Sequence, residues 1–237
     1  MDRPSRHELD QLRGAHERVL ARISAACQRV GRDPSSVRLV AVSKTVAVGR
    51  LEVAVAAGLT VFGENRVQEA EAKIGRVIGA RWHLVGPLQS NKVRRAAGIF
   101  DLVETIDSLD LARRFARIVA EDQPGARFPV LLQVNVDRDP AKSGFREADL
   151  ARALDELLAL SGLEIRGLMT VGRQVERVED ARSTFRALRE GSERLRSANP
   201  ALGAELSMGM SDDFEVAIEE GATIVRVGRA LFGERPH

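Results

Sequence analysis

The sequence is poor in cysteine and has no long apolar run. Its 237 residues include one cysteine, Cys27, so no disulfide framework of the kind typical of small secreted domains is expected. No apolar stretch approaches the roughly 18 residues that a membrane span needs. The N-terminus is polar and lacks the apolar core of a signal peptide, so we expect a cytoplasmic protein without a membrane segment.

An excess of charge of one sign is also absent. The net charge is +2, and acidic and basic side chains are interspersed along the whole chain. This pattern favours a solvated mixed surface over a nucleic-acid-binding patch. Motifs such as HExxH, paired CxxC and the Walker loop are missing as well, so we expect neither a metal site nor a nucleotide site of those kinds.

Lysine is scarce although the chain is rich in basic residues. There are four lysines, and every other basic residue except histidine is arginine; the lysines are Lys44, Lys73, Lys92 and Lys142. A reactive amine, if the protein uses one, must be among these four or at the N-terminus.

Short apolar runs alternate with helical patterns along the chain. The predicted strands are 38–43, 60–63, 81–85, 100–105, 129–136, 163–170, 204–209 and 223–227. The predicted helices are 5–30, 48–57, 65–78, 90–97, 108–121, 146–160, 175–197 and 212–220. Eight strands alternating with helices predict an α/β protein with a closed (β/α)₈ TIM-type barrel rather than an open doubly wound sheet. We expect one domain over 1–237, with an extra N-terminal helix within 1–34 packed on the barrel.

One lysine lies where such barrels keep their active sites, at the carboxyl end of a strand. Side chains alternate between the two faces of a strand, so Lys44 points into the barrel if Val40 and Val42 do. A low-dielectric environment favours the neutral form of an amine, which is a nucleophile toward carbonyl groups. The alternative is a lysine that reaches the barrel mouth or pairs with a carboxylate.

The last two predicted strands end in a pattern typical of a phosphate site. Arg226 points into the barrel if it shares the inner face of the last strand, and Gly228 allows the backbone to approach an anion closely. Ser211 follows the seventh strand and precedes a predicted helix. Barrels commonly bind phosphate between these two loops. Taken singly, Gly228 is also explained as a turn glycine and Ser211 as a helix cap.

Several segments together resemble one known family. They are AVSKT (41–45), FGENRVQEA (62–70), WHLVGPLQSNK (82–92), LQVNV (132–136), KSGF (142–145), RGLMTV (166–171), LSMGMSDDFEVAI (206–218) and ATIVRVG (222–228). This order, from about residue 35 to 235, is similar to the YggS/PROSC family of pyridoxal 5′-phosphate (PLP) homeostasis proteins. The family consists of alanine-racemase-like, fold-type III barrels without established enzyme activity.

The resemblance implies a role for individual residues of this chain. The family's Schiff-base lysine falls on Lys44, and its arginine facing the pyridine nitrogen falls on Arg226. Its phosphate cup falls on Ser211 and on the backbone around Gly228 and position 229. Asn65 in the GEN motif is expected in the pocket, and the GLMT segment places Met169 close to the cofactor ring.

One position departs from the family pattern. The family has Thr or Ser after the glycine of the last strand, whereas this chain has Arg229. The backbone N–H is kept but the hydroxyl is lost. Arg229 either replaces the hydroxyl with a charge-assisted bond to phosphate or points to solvent.

The resemblance and the site together predict a non-enzymatic PLP carrier or regulator. PLP is the expected cofactor, PLP-dependent apoenzymes are candidate acceptors, and a monomer is expected. Two alternatives remain open at this point. One is a PLP-dependent amino-acid racemase, and the other is an aldolase that uses Lys44 without a cofactor.

Overall fold

A computed structural model describes residues 6–233, and in them eight parallel strands close into a barrel. The strands are β1 (Arg38–Val42), β2 (Val61–Glu64), β3 (Arg81–Leu84), β4 (Leu102–Ile106), β5 (Phe128–Gln133), β6 (Leu163–Met169), β7 (Glu205–Ser207) and β8 (Ile224–Val227). Each strand pairs with its sequence neighbour, and β8 pairs with β1. The predicted (β/α)₈ barrel is therefore confirmed.

Helices follow the strands and surround the barrel. They are α1 (Arg6–Arg29), α2 (Val48–Ala56), α3 (Val67–Ile74), α4 (Val93–Ile99), α5 (Leu109–Asp122), α6 (Glu147–Leu158), α7 (Arg182–Ala198), α8 (Phe214–Glu219) and α9 (Arg229–Phe232). The predicted extra N-terminal helix is α1, which packs against α2, α8 and α9. Position 5, where the prediction began this helix, lies outside the described residues.

Several predicted boundaries were wrong. The helix predicted over 175–197 begins only at Arg182, after a short 3₁₀ turn at Val178–Ala181. Val175 and Val178 have helical spacing with the later residues, but Val178 is exposed and lies before the α-helix. The strand predicted over 129–136 ends at Gln133, because the chain then turns and Val134 forms only an isolated bridge with Phe145.

Two apolar layers hold the barrel together. Inside the barrel, a small cluster contains Val40, Leu102, Leu131, Met169 and Ile224. Between the strands and the helices lies a larger core, in which the rings of Phe62 and Trp82 pack 5.3 Å apart. No helix within residues 6–233 is long and apolar enough to cross a lipid bilayer.

Candidate functional site

A cavity of about 330 Å³ opens at the carboxyl ends of the strands. Its walls come from the ends of β1 and β8 and from the segments that follow β1, β2, β3, β6, β7 and β8. The lining residues are Val42, Lys44, Asn65, Val85, Val171, Met210, Ser211, Asp212, Arg226, Gly228 and Arg229. Its volume lies within the roughly 300–1,000 Å³ usual for ligand pockets, and its place is the one that barrels use for their sites.

Lys44 enters the cavity at the end of β1. Val40 belongs to the inner cluster and Val42 lines the cavity, so strand alternation brings the half-buried Lys44 to the inner face as predicted. The next residue, Thr45, has a left-handed backbone with φ of 66°. This conformation is uncommon for a β-branched residue and turns the chain sharply after Lys44.

A buried ion pair holds the residue before Lys44. The Lys73 ammonium on α3 donates to the Glu64 carboxylate at 2.7 Å and to the Ser43 carbonyl at 2.9 Å. The Ser43 hydroxyl donates to the same Glu64 oxygen, also at 2.7 Å. These three bonds fix the strand end from which Lys44 leaves. Sequence reasoning missed the pair, although Glu64 stands in the GEN motif.

Asn65 lies on the wall directly after β2. Gly86, which follows β3, sits against its backbone: a Cβ added to Gly86 would lie 2.3 Å from the Asn65 carbonyl oxygen. Only glycine allows this approach, so the sequence at position 86 helps to place Asn65 at the cavity.

The loops after β7 and β8 meet at Ser211. Its hydroxyl accepts a hydrogen bond from the Gly228 N–H at 3.1 Å, and Gly209 in a left-handed conformation turns the first of these loops. The alternative explanation of Ser211 as a helix cap does not hold, because the residue at the N-cap of α8 is Asp213. The Asp213 carboxylate instead accepts the Met210 N–H at 2.6 Å. Burial raises the pKa of Asp213, although that hydrogen bond and the charge of Arg226 oppose the increase.

Arg229 stands at the rim of the cavity rather than deep within it. Its guanidinium pairs with the Asp212 carboxylate, and both side chains are more than half exposed. The ion pair joins the same two loops that Ser211 and Gly228 join. In this structure, the residue that departs from the family pattern therefore contacts a neighbouring carboxylate.

Arg226 is the buried cation of the site, with 4% of its surface exposed. Its guanidinium donates to the Ser207 hydroxyl at 2.6 Å and to the Thr170 carbonyl at 2.8 Å. Burial lowers the pKa of Arg226, and the negative charges of Glu104 and Asp213 oppose this effect. A guanidinium carries five N–H donors, so further donors are left for an acceptor in the cavity.

Six of the seven residues predicted for the site line this cavity; they are Lys44, Asn65, Ser211, Arg226, Gly228 and Arg229. Met169 does not, because it is fully buried in the inner cluster and Val171, two residues later, reaches the wall. His83 also lies off the wall and bonds to Glu104 at 2.7 Å. Sequence reasoning missed Glu104 and Ser207, because their hydrogen-bond partners are distant in the sequence and no local pattern indicates them.

A larger cleft of about 540 Å³ is bordered by α6, α7 and the loop after β5. Buried leucines such as Leu150 and Leu188 form its floor, and exposed arginines stand at its mouth. None of the described residues that line it is a lysine. The larger cleft therefore lacks a lysine amine, whereas the smaller cavity contains both the Lys44 amine and the buried Arg226 guanidinium.

The sequence is similar to a known family over most of its length. The family described as "Alanine racemase, N-terminal domain" matches residues 17–236. The pyridoxal phosphate homeostasis protein of Aquifex aeolicus (strain VF5) is 42% identical over 228 residues, which covers 93% of this chain and 96% of that protein. The protein of the same name from Escherichia coli (strain K12) is 40% identical and covers 98% and 97%.

The chain is also similar, in sequence and in fold, to a protein of known structure. PipY of Synechococcus elongatus PCC7942, determined with PLP bound, is 40% identical and superimposes with a TM-score of 0.79. The match covers 89% of this chain and all of PipY.

Proposed function

Because the chain belongs to the pyridoxal phosphate homeostasis proteins, within the alanine racemase N-terminal domain family, we propose that it binds PLP as a Schiff base on Lys44. Its function is then intracellular PLP homeostasis, in which it holds and releases the cofactor without catalysing a reaction of its own. The cytoplasm is the proposed location, and PLP-dependent apoenzymes are the proposed acceptors.

The observation that carries this proposal is the convergence of Lys44 and Arg226 on one cavity. The cavity offers a chemical partner for each part of PLP. An amine suits the aldehyde, a buried guanidinium suits the ring nitrogen, and the apolar walls formed by Val42, Val85 and Val171 suit the ring. The residues present therefore fit the cofactor.

The phosphate is proposed to bind at the junction of the loops after β7 and β8. Ser211 supplies a hydroxyl, and the Gly228 N–H that it now engages is a second donor within reach of the same anion. Two N–H groups of α9, those of Leu231 and Phe232, already donate to the Gly228 carbonyl, which leaves the Arg229 and Ala230 N–H groups as backbone donors for the phosphate. Arg229 adds a positive charge at the rim, where it is proposed to exchange Asp212 for phosphate.

When bound, PLP supplies an aldehyde that condenses with a primary amine and, in PLP enzymes, a ring that accepts electrons from the substrate. Arg226 affects how well the ring accepts electrons. A fixed guanidinium opposes protonation of a nitrogen that it faces, and a neutral ring is a weaker electron acceptor. Reversible binding through Lys44 is compatible with this arrangement, whereas transamination is poorly supported by it.

The amino-acid racemase is the alternative function. Racemisation requires proton removal on one face of the bound amino acid and proton return on the other, and therefore two positioned acid–base groups. Lys44 offers one. The sequence contains no tyrosine, and the described wall offers only Asp212, an exposed carboxylate paired with Arg229, as a second.

Two measurements test the proposal. PLP added to the purified protein is expected to give a visible absorbance band that borohydride removes, and Lys44→Ala is expected to abolish the band while the protein stays folded. PLP-loaded protein incubated with L-alanine in deuterated water is expected to show no α-deuteration at an enzymatic rate, which is roughly 1–10³ s⁻¹. Absence of the band contradicts PLP binding, and fast exchange that depends on Lys44 and is accompanied by formation of D-alanine makes the protein a racemase.

A further inference from the structure

Beneath the cavity, the inside of the barrel contains a hydrogen-bonded network of four polar side chains. They come from four strands and are almost fully buried; they are His83 (4% exposed), Glu104 (0%), Ser207 (0%) and Arg226 (4%). Glu104 and Ser207 are 103 residues apart in the sequence, so only closure of the barrel brings them together. Buried polar groups are costly unless they are hydrogen-bonded, and each of these four has a partner.

The directions of the two hydrogen bonds that Ser207 makes in this network are fixed. Arg226 has only donors, so the Ser207 hydroxyl must accept its 2.6 Å bond. Ser207 then has one proton left, and it donates that proton to Glu104 Oε2 at 2.5 Å. The Glu104 carboxylate therefore acts as the acceptor that sets the orientation of the Ser207 hydroxyl. Its other oxygen bonds to Nδ1 of His83 at 2.7 Å.

The surroundings keep Glu104 ionised. Burial alone raises the pKa of its carboxyl, but the hydrogen bonds with His83 and Ser207 and the positive charge of Arg226 outweigh burial and hold that pKa below its ordinary value. Its nearest oxygen lies 3.9 Å from the guanidinium of Arg226. Glu104 thus supplies both a hydrogen-bond acceptor for Ser207 and a countercharge for Arg226.

We propose that Glu104 and Ser207 are positioning residues for Arg226. Together with the Thr170 carbonyl, Ser207 fixes the plane of the guanidinium, and Glu104 fixes Ser207. The remaining N–H groups are then held toward one acceptor in the cavity, the pyridine nitrogen. This inference rests on the proposed PLP function and adds the residues that make Arg226 selective for a ring nitrogen.

The test compares PLP with 1-deazapyridoxal 5′-phosphate, in which a C–H replaces the ring nitrogen. Affinities are measured by spectral titration for the wild type, Ser207→Ala and Glu104→Gln. The wild type is expected to prefer PLP by about tenfold or more, the scale of one charge-assisted hydrogen bond. In Ser207→Ala the affinity for PLP is expected to fall by about tenfold while that for the analogue stays within about twofold, so that the preference is lost.

The matched control is Ser192→Ala, the same change at a buried serine of α7 that does not line the cavity. It is expected to leave both affinities unchanged. Circular dichroism of each ligand-free variant checks that it is folded, and if Glu104→Gln does not fold, Ser207→Ala decides alone.

The possible outcomes distinguish the positioning role of Ser207 from the proposed PLP binding. An equal loss for both ligands in Ser207→Ala means that Ser207 only supports the fold, and this overturns the inference. An unchanged preference in that variant, or no preference in the wild type, overturns it as well. Failure of the wild type to bind either compound contradicts the proposed PLP function itself.

Discussion

Replacing Lys73 with methionine removes one partner of the ion pair behind Lys44. Lys73 is 8% exposed and Glu64 is fully buried, and methionine keeps most of the length of the lysine side chain. The substitution leaves the Glu64 carboxylate with the Ser43 hydroxyl as its only hydrogen-bond donor among the described residues, because Oε2 already has none. It also removes the donor to the Ser43 carbonyl.

The expected cost follows from the burial of the charge that is left. Breaking a buried ion pair by removing one partner costs about 3–5 kcal/mol, a large share of the roughly 5–15 kcal/mol that stabilises a typical domain. Urea-induced unfolding at pH 7, followed by circular dichroism, measures this loss. The matched control is Lys92→Met, because Lys92 makes no ion pair with any residue in 6–233, and its effect is expected within about 0.5 kcal/mol.

A double variant checks the cause. Lys73→Met combined with Glu64→Leu removes both charges, and the Ser43 hydroxyl keeps the Gly63 carbonyl as an acceptor at 3.4 Å. Replacing a buried pair with apolar side chains is often neutral, so the double variant is expected to regain at least half of the lost stability. A single variant as stable as Lys92→Met, or a double variant no better than the single, refutes the reasoning.

Three further predictions concern the cavity and the network beneath it. Ser211→Ala is expected to weaken binding of PLP more than binding of pyridoxal, measured by titration, because the hydroxyl is proposed to contact only the phosphate; an equal loss indicates damage to the loop. Arg226→Gln is expected to weaken PLP binding by about 1.5–3 kcal/mol and to change the absorbance of the bound cofactor, and unchanged values place Arg226 away from the ring. Folding lowers the pKa of Glu104 below its ordinary value of 4.5, so the ionised carboxylate stabilises the fold at pH values above 4.5. This contribution is lost as the pH falls through the folded-state pKa. Urea unfolding between about pH 6 and pH 3 is therefore expected to show a shallower loss of stability for Glu104→Gln than for the wild type, and equal slopes contradict it.

Sequence reasoning found four residues of the cavity wall through simple rules, and found Asn65 and Arg229 through the family resemblance. Alternation along a strand fixes the face of Lys44 relative to Val40, and barrels gather their sites at the carboxyl ends of strands. The same rules selected Ser211 and Gly228, which the structure joins by a hydrogen bond.

The residues behind the wall were not accessible, because their partners are distant in sequence. Alternation from Leu102 brings Glu104 to the inner face of β4, but its partner Ser207 is 103 residues away, and only closure of the barrel brings the two together. The helix boundary at Arg182 was missed for a different reason. The Asp137 carboxylate accepts the Arg173 N–H and the Thr184 hydroxyl, and these tertiary bonds hold the preceding segment against the loop after β5 despite its helical spacing.

The central claim is that Lys44 carries the cofactor, and reduction with borohydride tests it most directly. PLP-loaded protein is reduced, digested and analysed by peptide mass mapping, which locates the pyridoxyl group on one of the four lysines. Lys44 is the lysine that lines the cavity, whereas Lys73 is bound to Glu64 and Lys142 donates to the Gly172 carbonyl. The account predicts the adduct on the peptide that contains Lys44, and an adduct found instead on Lys73, Lys92 or Lys142 contradicts it.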